Sequence, residues 1–478
     1  MKQRIQTKVG MIIRDTRFPH ILVLLFLCIY TIAGIAINLH RFWQFELGYY
    51  DFGIFDRALW HASHFRPPII DHFIVPGKWI FADHFNPSIF ILTPVYWLTD
   101  KSEFLLFFPS IAIGISGYII FKIADKLIRN RYAALAIVIT YMLSIGVQNA
   151  VYSDFHELTL ASAFIALTYW AIISKERRLF YIALILTFGF KENLFLFGLG
   201  TSFFIFFYNK KWRKDAVIAA ILSLGWAYLA IKVAIPYFSG QQYYYANLSN
   251  DYFNLAETVQ NLFYPDIKPK TVFFSFANYL FVPLGYLPLI PTIVFNFVSR
   301  FLTPGSTRWD MGLHYNAEIA PAFALASAFT FQWIKSRKFL FPGLFYGLCI
   351  MMIFNSLVFH QFIFHGPMGL AYRPVFYANT KNHLFLKNLV EKIPQDATVL
   401  AQNNLASHLM HHKEIWILRD NYKVHNADYI VFDTREGQAA GNLLGIENKE
   451  LLFKKIATDK EYMLYYNEGD QFIYKKIE

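Results

Sequence analysis

Side chains able to do acid, base or ligand chemistry are concentrated in a few short segments between long apolar runs. A carboxylate can deprotonate an acceptor hydroxyl, and carboxylates with imidazoles can hold a divalent cation. A lysine can neutralise a phosphate leaving group. The segments that carry these groups are an acidic stretch with Asp51 and Asp56, a histidine motif at His84, Asp154-Phe155-His156-Glu157, Lys191-Glu192 and His314-Tyr315.

Each of these residues also has a structural interpretation. Asp51 could cap a helix that begins at Phe52, and Asp154 could cap the helix that follows it. Lys191 and Glu192 could form an ion pair that closes a helical hairpin. Charges inside apolar segments are nevertheless candidates for function, because burying them is costly.

Two Asp-His-Phe triplets in the acidic stretch, Asp71-His72-Phe73 and Asp83-His84-Phe85, suggest a site for a divalent cation such as Mg²⁺ or Mn²⁺. Coincidence is the competing explanation. Both cysteines, Cys28 and Cys349, lie in apolar stretches, which argues against a disulfide framework or a thiolate metal site.

The composition is that of a membrane protein. Of the 478 residues, 56% are hydrophobic and 16% are charged, whereas soluble domains carry about 25% charged residues. The net charge of +11 comes from Lys and Arg, many of which stand in short clusters between apolar runs. Such clusters indicate topology and give no reason to expect nucleic acid as a partner.

Apolar runs of about 20 residues predict a polytopic, all-α membrane domain with about eleven transmembrane helices. Basic clusters place the N-terminal residues 1–18 in the cytoplasm and leave the C-terminus outside. The stretch 179–208 has basic flanks on both sides, the second including Lys210, Lys211 and Arg213. We therefore predict two short helices that fold back at Lys191-Glu192-Asn193.

We predict that two regions lie outside the cytoplasm, namely the first outer loop and the C-terminal region. The transmembrane domain spans residues 19–358 and contains a large first outer loop at 41–102. Residues 359–478 are more polar, and β-rich runs at 397–400, 414–418 and 428–432 alternate with helix-compatible segments. This alternation predicts a small soluble α/β domain.

Several motifs together resemble an uncharacterised prokaryotic family of polytopic membrane proteins, a domain of unknown function that is similar to the GT-C glycosyltransferases. The resemblance runs from about residue 45 to about residue 435. The motifs that carry it are Asp51-Phe-Gly-Ile-Phe-Asp-Arg-Ala-Leu-Trp60, His84-Phe-Asn-Pro87, Asp154-Phe-His-Glu157, Lys191-Glu192, His314-Tyr315 and Ile393-Pro394-Gln-Asp396-Ala-Thr-Val-Leu-Ala-Gln402.

The resemblance implies a GT-C-like enzyme of the plasma (cell inner) membrane. It would transfer a sugar from a polyprenyl-phosphate donor in the lipid bilayer to a glycan, lipid or protein acceptor outside. Its candidate catalytic residues are Asp51, Asp56, Asp154 and Glu192. Its candidate substrate-binding residues are His84, His156, Glu157, Lys191, His314 and Tyr315, with His84 and Asp154 as candidate metal ligands.

Two other functions fit the same pattern. A transporter or flippase for a lipid or small anion would use charges near the bilayer midplane, but usually shows pseudo-symmetric halves. A non-catalytic membrane-anchored assembly protein would use its soluble tail and leave the acidic outer loop without a role. The distribution of polar residues on the outer side favours the glycosyltransferase.

Overall fold

The computed structural model describes residues 18–246, 255–303, 305–337 and 342–477. The predicted cytoplasmic residues 1–17 lie outside these ranges. The chain divides into two compact units. We call residues 1–35, 107–233 and 243–372 the helical unit, and residues 36–106, 234–242 and 373–478 the mixed unit. The first outer loop, predicted as part of the transmembrane domain, is thus grouped with the C-terminal tail.

The described elements are mostly helical. The α-helices in chain order are α1 Phe18–Trp43, α2 Ile54–Ser63, α3 Phe107–Ile128, α4 Arg131–Leu143, α5 Ile145–Tyr152, α6 Glu157–Ser174, α7 Arg177–Phe188, α8 Phe195–Tyr208, α9 Arg213–Tyr228, α10 Ile235–Ser239, α11 Leu255–Phe263, α12 Ile267–Ala277, α13 Ile290–Leu302, α14 Ala320–Ser336, α15 Pro342–Val358, α16 Lys381–Val390, α17 Asn403–Ala406 and α18 Lys449–Ala457. The strands are β1 Ile69–Ile70, β2 Lys78–Trp79, β3 Thr398–Ala401, β4 Glu414–Ile417, β5 Tyr429–Asp433, β6 Tyr462–Glu468 and β7 Gln471–Lys476.

Within the described ranges, five helical segments are long and apolar enough to cross a membrane. They are Phe18–Trp43, Ser102–Ile128, Glu157–Ser174, Lys210–Ser239 and Gly343–Ile363. Helices α4 and α5 together would form a sixth span, bent by 52°. The polytopic membrane architecture is therefore confirmed, while the count of about eleven spans stays a prediction.

Small and hydroxylated residues allow close helix packing in the helical unit. A Cβ added at Gly114 of α3 would lie 2.5 Å from Oγ1 of Thr31 in α1, so only glycine permits this approach. Ser116 of α3 donates a hydrogen bond of 3.1 Å to the Ser162 carbonyl of α6 and accepts one of 2.9 Å from the Tyr141 hydroxyl. Such bonds join helices that have no water to compete for their polar groups.

The stretch 179–208 is broken where the sequence predicted a break. Helix α7 ends at Phe188, Lys191 has an extended backbone (φ −164°, ψ 148°), and a 3₁₀ turn at Glu192–Leu194 leads into α8. Two short helices are thus confirmed. That both of their basic flanks lie in the cytoplasm stays a prediction.

The mixed unit contains a five-stranded sheet in the order β4-β3-β5-β7-β6. Strand β3 runs parallel to β4 and β5, and β7 runs antiparallel to β5 and β6. Every residue of β5 is buried, as expected for a strand inside a sheet covered on both faces. The predicted α/β fold of the C-terminal region is confirmed, and its three predicted strands correspond to β3, β4 and β5.

Candidate functional site

Asp51 lies on a π-helical turn, Tyr49–Gly53, whose other residues are anchored. Tyr49 is fully buried, and its hydroxyl accepts a 3.0 Å hydrogen bond from the Asp71 amide. The backbone amide of Tyr50 donates a hydrogen bond of 3.1 Å to Oδ1 of Asn403 in the tail. The side chain of Asp51, in contrast, is exposed. Single π-helical turns are frequent at functional sites, and this one presents a carboxylate on a fixed backbone.

The structure contradicts the capping interpretation of Asp51. Helix α2 begins at Ile54, and its N-cap is Gly53 without any side-chain cap bond. A Cβ added at Gly53 would lie 2.7 Å from the Met410 sulfur and 2.9 Å from Cδ2 of Tyr49, so a larger residue there would force these side chains to move. Asp51 therefore lies within the π-helical turn and occupies the N-cap position of neither helical segment.

Asp56 has the opposite environment. Its carboxylate is fully buried and accepts hydrogen bonds from the Tyr96 hydroxyl and, at 2.9 Å, from the Ser102 hydroxyl. Nε2 of His411 lies 2.9 Å from its second oxygen. With both oxygens occupied by groups of the loop and the tail, Asp56 fits a structural role better than that of a base.

Asp71 joins the outer loop to the sheet. Its carboxylate accepts a 2.8 Å hydrogen bond from the Ile417 amide of β4 and pairs with Nη2 of Arg419 at 2.8 Å. Arg419 also donates to the Tyr50 hydroxyl at 3.1 Å. Burial raises the pKa of Tyr49 beside this pair. The turn that carries Asp51 is thus fixed through Tyr49 and Tyr50.

The two Asp-His-Phe triplets meet at Asp83. Its carboxylate lies 3.9 Å from Nδ1 of His72 and 3.8 Å from Nε2 of His84. Burial lowers the pKa of His72. Among the described residues, no group of three or more Asp, Glu, His or Cys side chains has the geometry of a metal site. A cation at His84 or Asp154, which belong to different units, stays a prediction.

The helical unit contains a second candidate, centred on a buried ion pair. Nζ of Lys191 lies 2.6 Å from Oε1 of Glu157, and the Glu157 side chain is 1% exposed. Glu192 accepts a hydrogen bond from the Tyr243 hydroxyl, and Asn193 donates one of 3.4 Å to Glu318. Lys191 thus pairs with the first residue of α6, a contact that the sequence analysis did not predict.

Two stacked imidazoles lie in the same unit. The rings of His156 and His314 are 3.7 Å apart, and the Tyr315 ring is 4.2 Å from that of His314. Both ring nitrogens of His314 are buried and have no hydrogen-bond partner within the described part of the chain. Burial lowers the pKa of His314. A buried imidazole without partners is costly unless a ligand or water completes it.

Arg300 holds the segment that carries His314 and Tyr315. It donates to the carbonyls of Arg308 at 2.7 Å and Asp310 at 2.6 Å, and to the Asn316 side chain at 2.5 Å. The sequence analysis missed both Arg300 and Glu318. An arginine within an otherwise uncharged apolar helix was a signal that could have identified it.

Asp154 is buried and has a left-handed backbone with φ of 63°. It is not the cap of α6, because His156 occupies the N-cap position and makes no side-chain cap bond there. Aspartate tolerates this backbone region better than most residues. Such conformations concentrate at functional sites, so Asp154 remains a candidate.

Comparison with known proteins agrees with this architecture. Residues 41–466 match a family model described as predicted membrane protein (DUF2079). The chain is similar to the crystal structure of ArnT from Cupriavidus metallidurans bound to undecaprenyl phosphate, with a TM-score of 0.50 and 10% identity over 94% of this chain and 97% of that one. The apo state of ArnT gives a TM-score of 0.48 at 9% identity, over 93% and 97%. Comparison with curated proteins gave no match.

At this level of identity, the likeness to ArnT shows a shared fold and nothing more specific. It agrees with the predicted architecture of mostly apolar helices with a small sheet region at the C-terminus. The family match covers the outer loop, the membrane helices that follow α1 and most of the tail, and it confirms the predicted relationship to an uncharacterised membrane-protein family.

Proposed function

The chain belongs to the DUF2079 family of predicted membrane proteins, and we propose that it transfers a sugar from a polyprenyl-phosphate donor to an acceptor on the extracytoplasmic face. The ArnT structure that shares its fold contains undecaprenyl phosphate, which supports a polyprenyl-phosphate ligand for this chain as well. The function proposed is that of a GT-C type glycosyltransferase.

One observation supports this function most strongly, namely the exposed Asp51 on an anchored turn. Of the three carboxylates at positions 51, 56 and 71, Asp56 and Asp71 are buried and bound to donors from the loop and the tail. Asp51 is exposed to solvent. A general base must reach the proton that it removes, and Asp51 is the carboxylate of this set that meets the requirement.

The proposed reaction is a displacement at the anomeric carbon. The acceptor hydroxyl oxygen forms a bond to that carbon while the bond from the carbon to the phosphate oxygen breaks. The hydroxyl proton passes to the Asp51 carboxylate, and the polyprenyl phosphate leaves with the bonding electron pair. No step requires an oxidant or a reductant.

We assign phosphate binding to the lysine of the buried ion pair. Lys191 carries a positive charge, and Glu157 holds it at 2.6 Å in a position away from bulk water. A cation fixed in a low-dielectric site stabilises developing negative charge more strongly than one in water. His314, with both ring nitrogens lacking partners among the described residues, is a second group available to a ligand in this unit.

Replacing Asp51 by Asn tests the proposal directly. The substitution keeps the size of the side chain but removes its ability to accept a proton. We expect turnover to fall about a hundredfold to ten-thousandfold, while the thermal unfolding temperature stays unchanged, because the side chain is exposed. The measurement is mass spectrometry of glycans and glycolipids from cells that lack the gene and from cells complemented with each variant.

Asp100→Asn is the matched control, since Asp100 is an exposed carboxylate of the same unit. It should restore the same glycans as the wild-type gene. If deletion of the gene changes no glycan or glycolipid, the glycosyltransferase proposal is wrong. If Asp51→Asn complements fully, the base is another residue.

A further inference from the structure

The mixed unit contains a cavity of about 630 Å³ that none of the candidate site residues lines. Its walls come from the end of α1, from the segment between residues 375 and 380, and from the loop that follows β5. This volume falls within the usual range of small-molecule sites. We call it the sheet-end cleft.

The sheet topology explains why a cleft forms there. Strands β3 and β5 are parallel neighbours. The connection after β3 leads to β4 at one edge of the sheet, and the connection after β5 leads to β6 at the opposite edge. Where adjacent parallel strands send their connections in opposite directions, a crevice opens at their carboxyl ends, and ligands of α/β sheets bind in such crevices.

The loop after β5 is fixed against the start of α17. The Gln402 side chain, directly after β3, donates a hydrogen bond to the Gln438 side chain. Asn403 donates one of 2.9 Å to the Gly441 carbonyl. Gln438 in turn donates to the carbonyl of Asp433 at 2.9 Å. The cleft wall is therefore held in place by hydrogen bonds before any ligand arrives.

The lining of the cleft offers hydrogen-bond donors and acceptors in similar measure. Its arginines are already paired, Arg41 with Glu46 at 3.4 Å and Arg435 with Asp433 at 2.7 Å. Because the carboxylates of Glu46 and Glu436 also line it, the cleft is a poor site for an anion.

The remaining polar lining is suited to hydroxyl groups. The Asn442 amide donates one hydrogen bond of 3.4 Å to Gln438 and can donate and accept further, as hydroxyls do, and the Gln44 amide nitrogen can donate beyond its 2.8 Å bond to Asn379. The half-buried ring of Phe376 adds apolar surface of the kind that covers the C–H face of a sugar ring.

We propose that the sheet-end cleft binds a saccharide portion of the acceptor, a role that rests on the glycosyltransferase function proposed above. The cleft supplies affinity for hydroxyls, while the reaction takes place elsewhere. The acceptor is therefore a glycan or a glycan-bearing molecule.

The test is saturation-transfer-difference NMR on the full chain in lipid nanodiscs, because detergents with sugar headgroups would compete. The probes are maltotetraose, mannotetraose and chitotetraose. Tetraglycine, which has amides but no vicinal hydroxyls, is the chemical control. Ala439→Trp fills the cleft from an exposed lining position, and Ala440→Trp is its matched control at an exposed neighbour that does not line the cleft.

We expect at least one oligosaccharide to receive saturation from the wild type and from Ala440→Trp, with at least a tenfold loss in Ala439→Trp and no signal for tetraglycine. Binding should persist in Asp51→Asn, since that residue does not line the cleft. Three results would overturn the proposal: no oligosaccharide binds, Ala439→Trp binds as well as the wild type, or tetraglycine binds equally. Cleft binding without any sugar transfer would instead refute the glycosyltransferase function alone.

Discussion

At the scale of single residues, Asp51 and Asp56 show what a motif cannot reveal. Both belong to one short acidic motif, and the sequence analysis named both as candidate catalytic residues. Their environments differ because Tyr96, Ser102 and His411 surround Asp56. These partners lie far from the motif in sequence. Which carboxylate is buried follows from tertiary contacts that local sequence does not encode.

The buried pair of Lys191 and Glu157 yields a prediction that separates a phosphate contact from a structural ion pair. Replacing Lys191 alone by Met takes the lysine away from the buried Glu157 carboxylate, and breaking such a buried pair should cost about 3–5 kcal/mol. Replacing both, as Lys191→Met with Glu157→Leu, removes that cost. We expect the double variant to unfold at about the wild-type temperature in differential scanning fluorimetry, yet to produce no glycosylated product.

The control is the pair formed by Arg177 and Asp215 at 3.2 Å in the same unit. Neutralising both of its members, as Arg177→Met with Asp215→Leu, should leave product formation near wild type. Wild-type product formation by the Lys191→Met, Glu157→Leu variant would mean that the pair only connects α6 to the break after α7.

At the scale of elements, the three strands that the sequence predicted, β3, β4 and β5, form the parallel part of the sheet, and the two that it missed, β6 and β7, form an antiparallel hairpin. Strand β5 is buried throughout, whereas most residues of β6 are exposed. Hydrophobic runs therefore identified the buried strand β5 but not the exposed strand β6, and they also missed β7, which lies inside the sheet. A signal for the missed hairpin was present in Gly469, which has a positive φ of 58° between β6 and β7, as a tight turn requires.

Helix α2 is connected to the tail through Arg57. Its guanidinium donates to the carbonyls of Met410, of His412 at 2.5 Å and of Lys413 at 2.9 Å. In Arg57→Leu these carbonyls lose their donor, and each unsatisfied buried group costs about 1–3 kcal/mol. We expect residues 410–413 to loosen, so that limited trypsinolysis with peptide mass spectrometry detects faster cleavage after Lys413.

Arg66→Leu is a closely matched control for this prediction. The guanidinium carbons of Arg57 and Arg66 both lie 5.8 Å from the centre of the Trp60 ring. Removing Arg66 therefore deletes a comparable cation-π contact without touching the three carbonyls. Equal cleavage rates in the two variants would show that the carbonyl bonds do not hold the tail.

At the scale of the whole molecule, hydropathy predicted the membrane class but not how the chain divides. The boundary at residue 359 followed the change in composition, whereas the mixed unit also takes in residues 36–106. Asp71 pairs with Arg419, and Arg57 donates to carbonyls of the tail. Both contacts join residues that lie far apart in the sequence. No local pattern marks such contacts. The sequence alone therefore assigned the outer loop to the helices that flank it.

The direction of the chain through the membrane is the last prediction. Lys210, Lys211, Arg213 and Lys214 form a basic cluster before α9, and such clusters remain on the cytoplasmic side. The apolar helix Gly343–Ile363 should then return the chain to the outside. Alkaline phosphatase, which is active only outside the cytoplasm, should be active when fused after residue 360 and inactive when fused after Arg213.

A fluorescent protein that fluoresces only in the cytoplasm is the control. Fused at the same two positions, it should be dark after residue 360 and fluorescent after Arg213. If phosphatase is instead active after Arg213 and inactive after residue 360, the tail is cytoplasmic, and neither Asp51 nor the sheet-end cleft can meet an acceptor outside the cell.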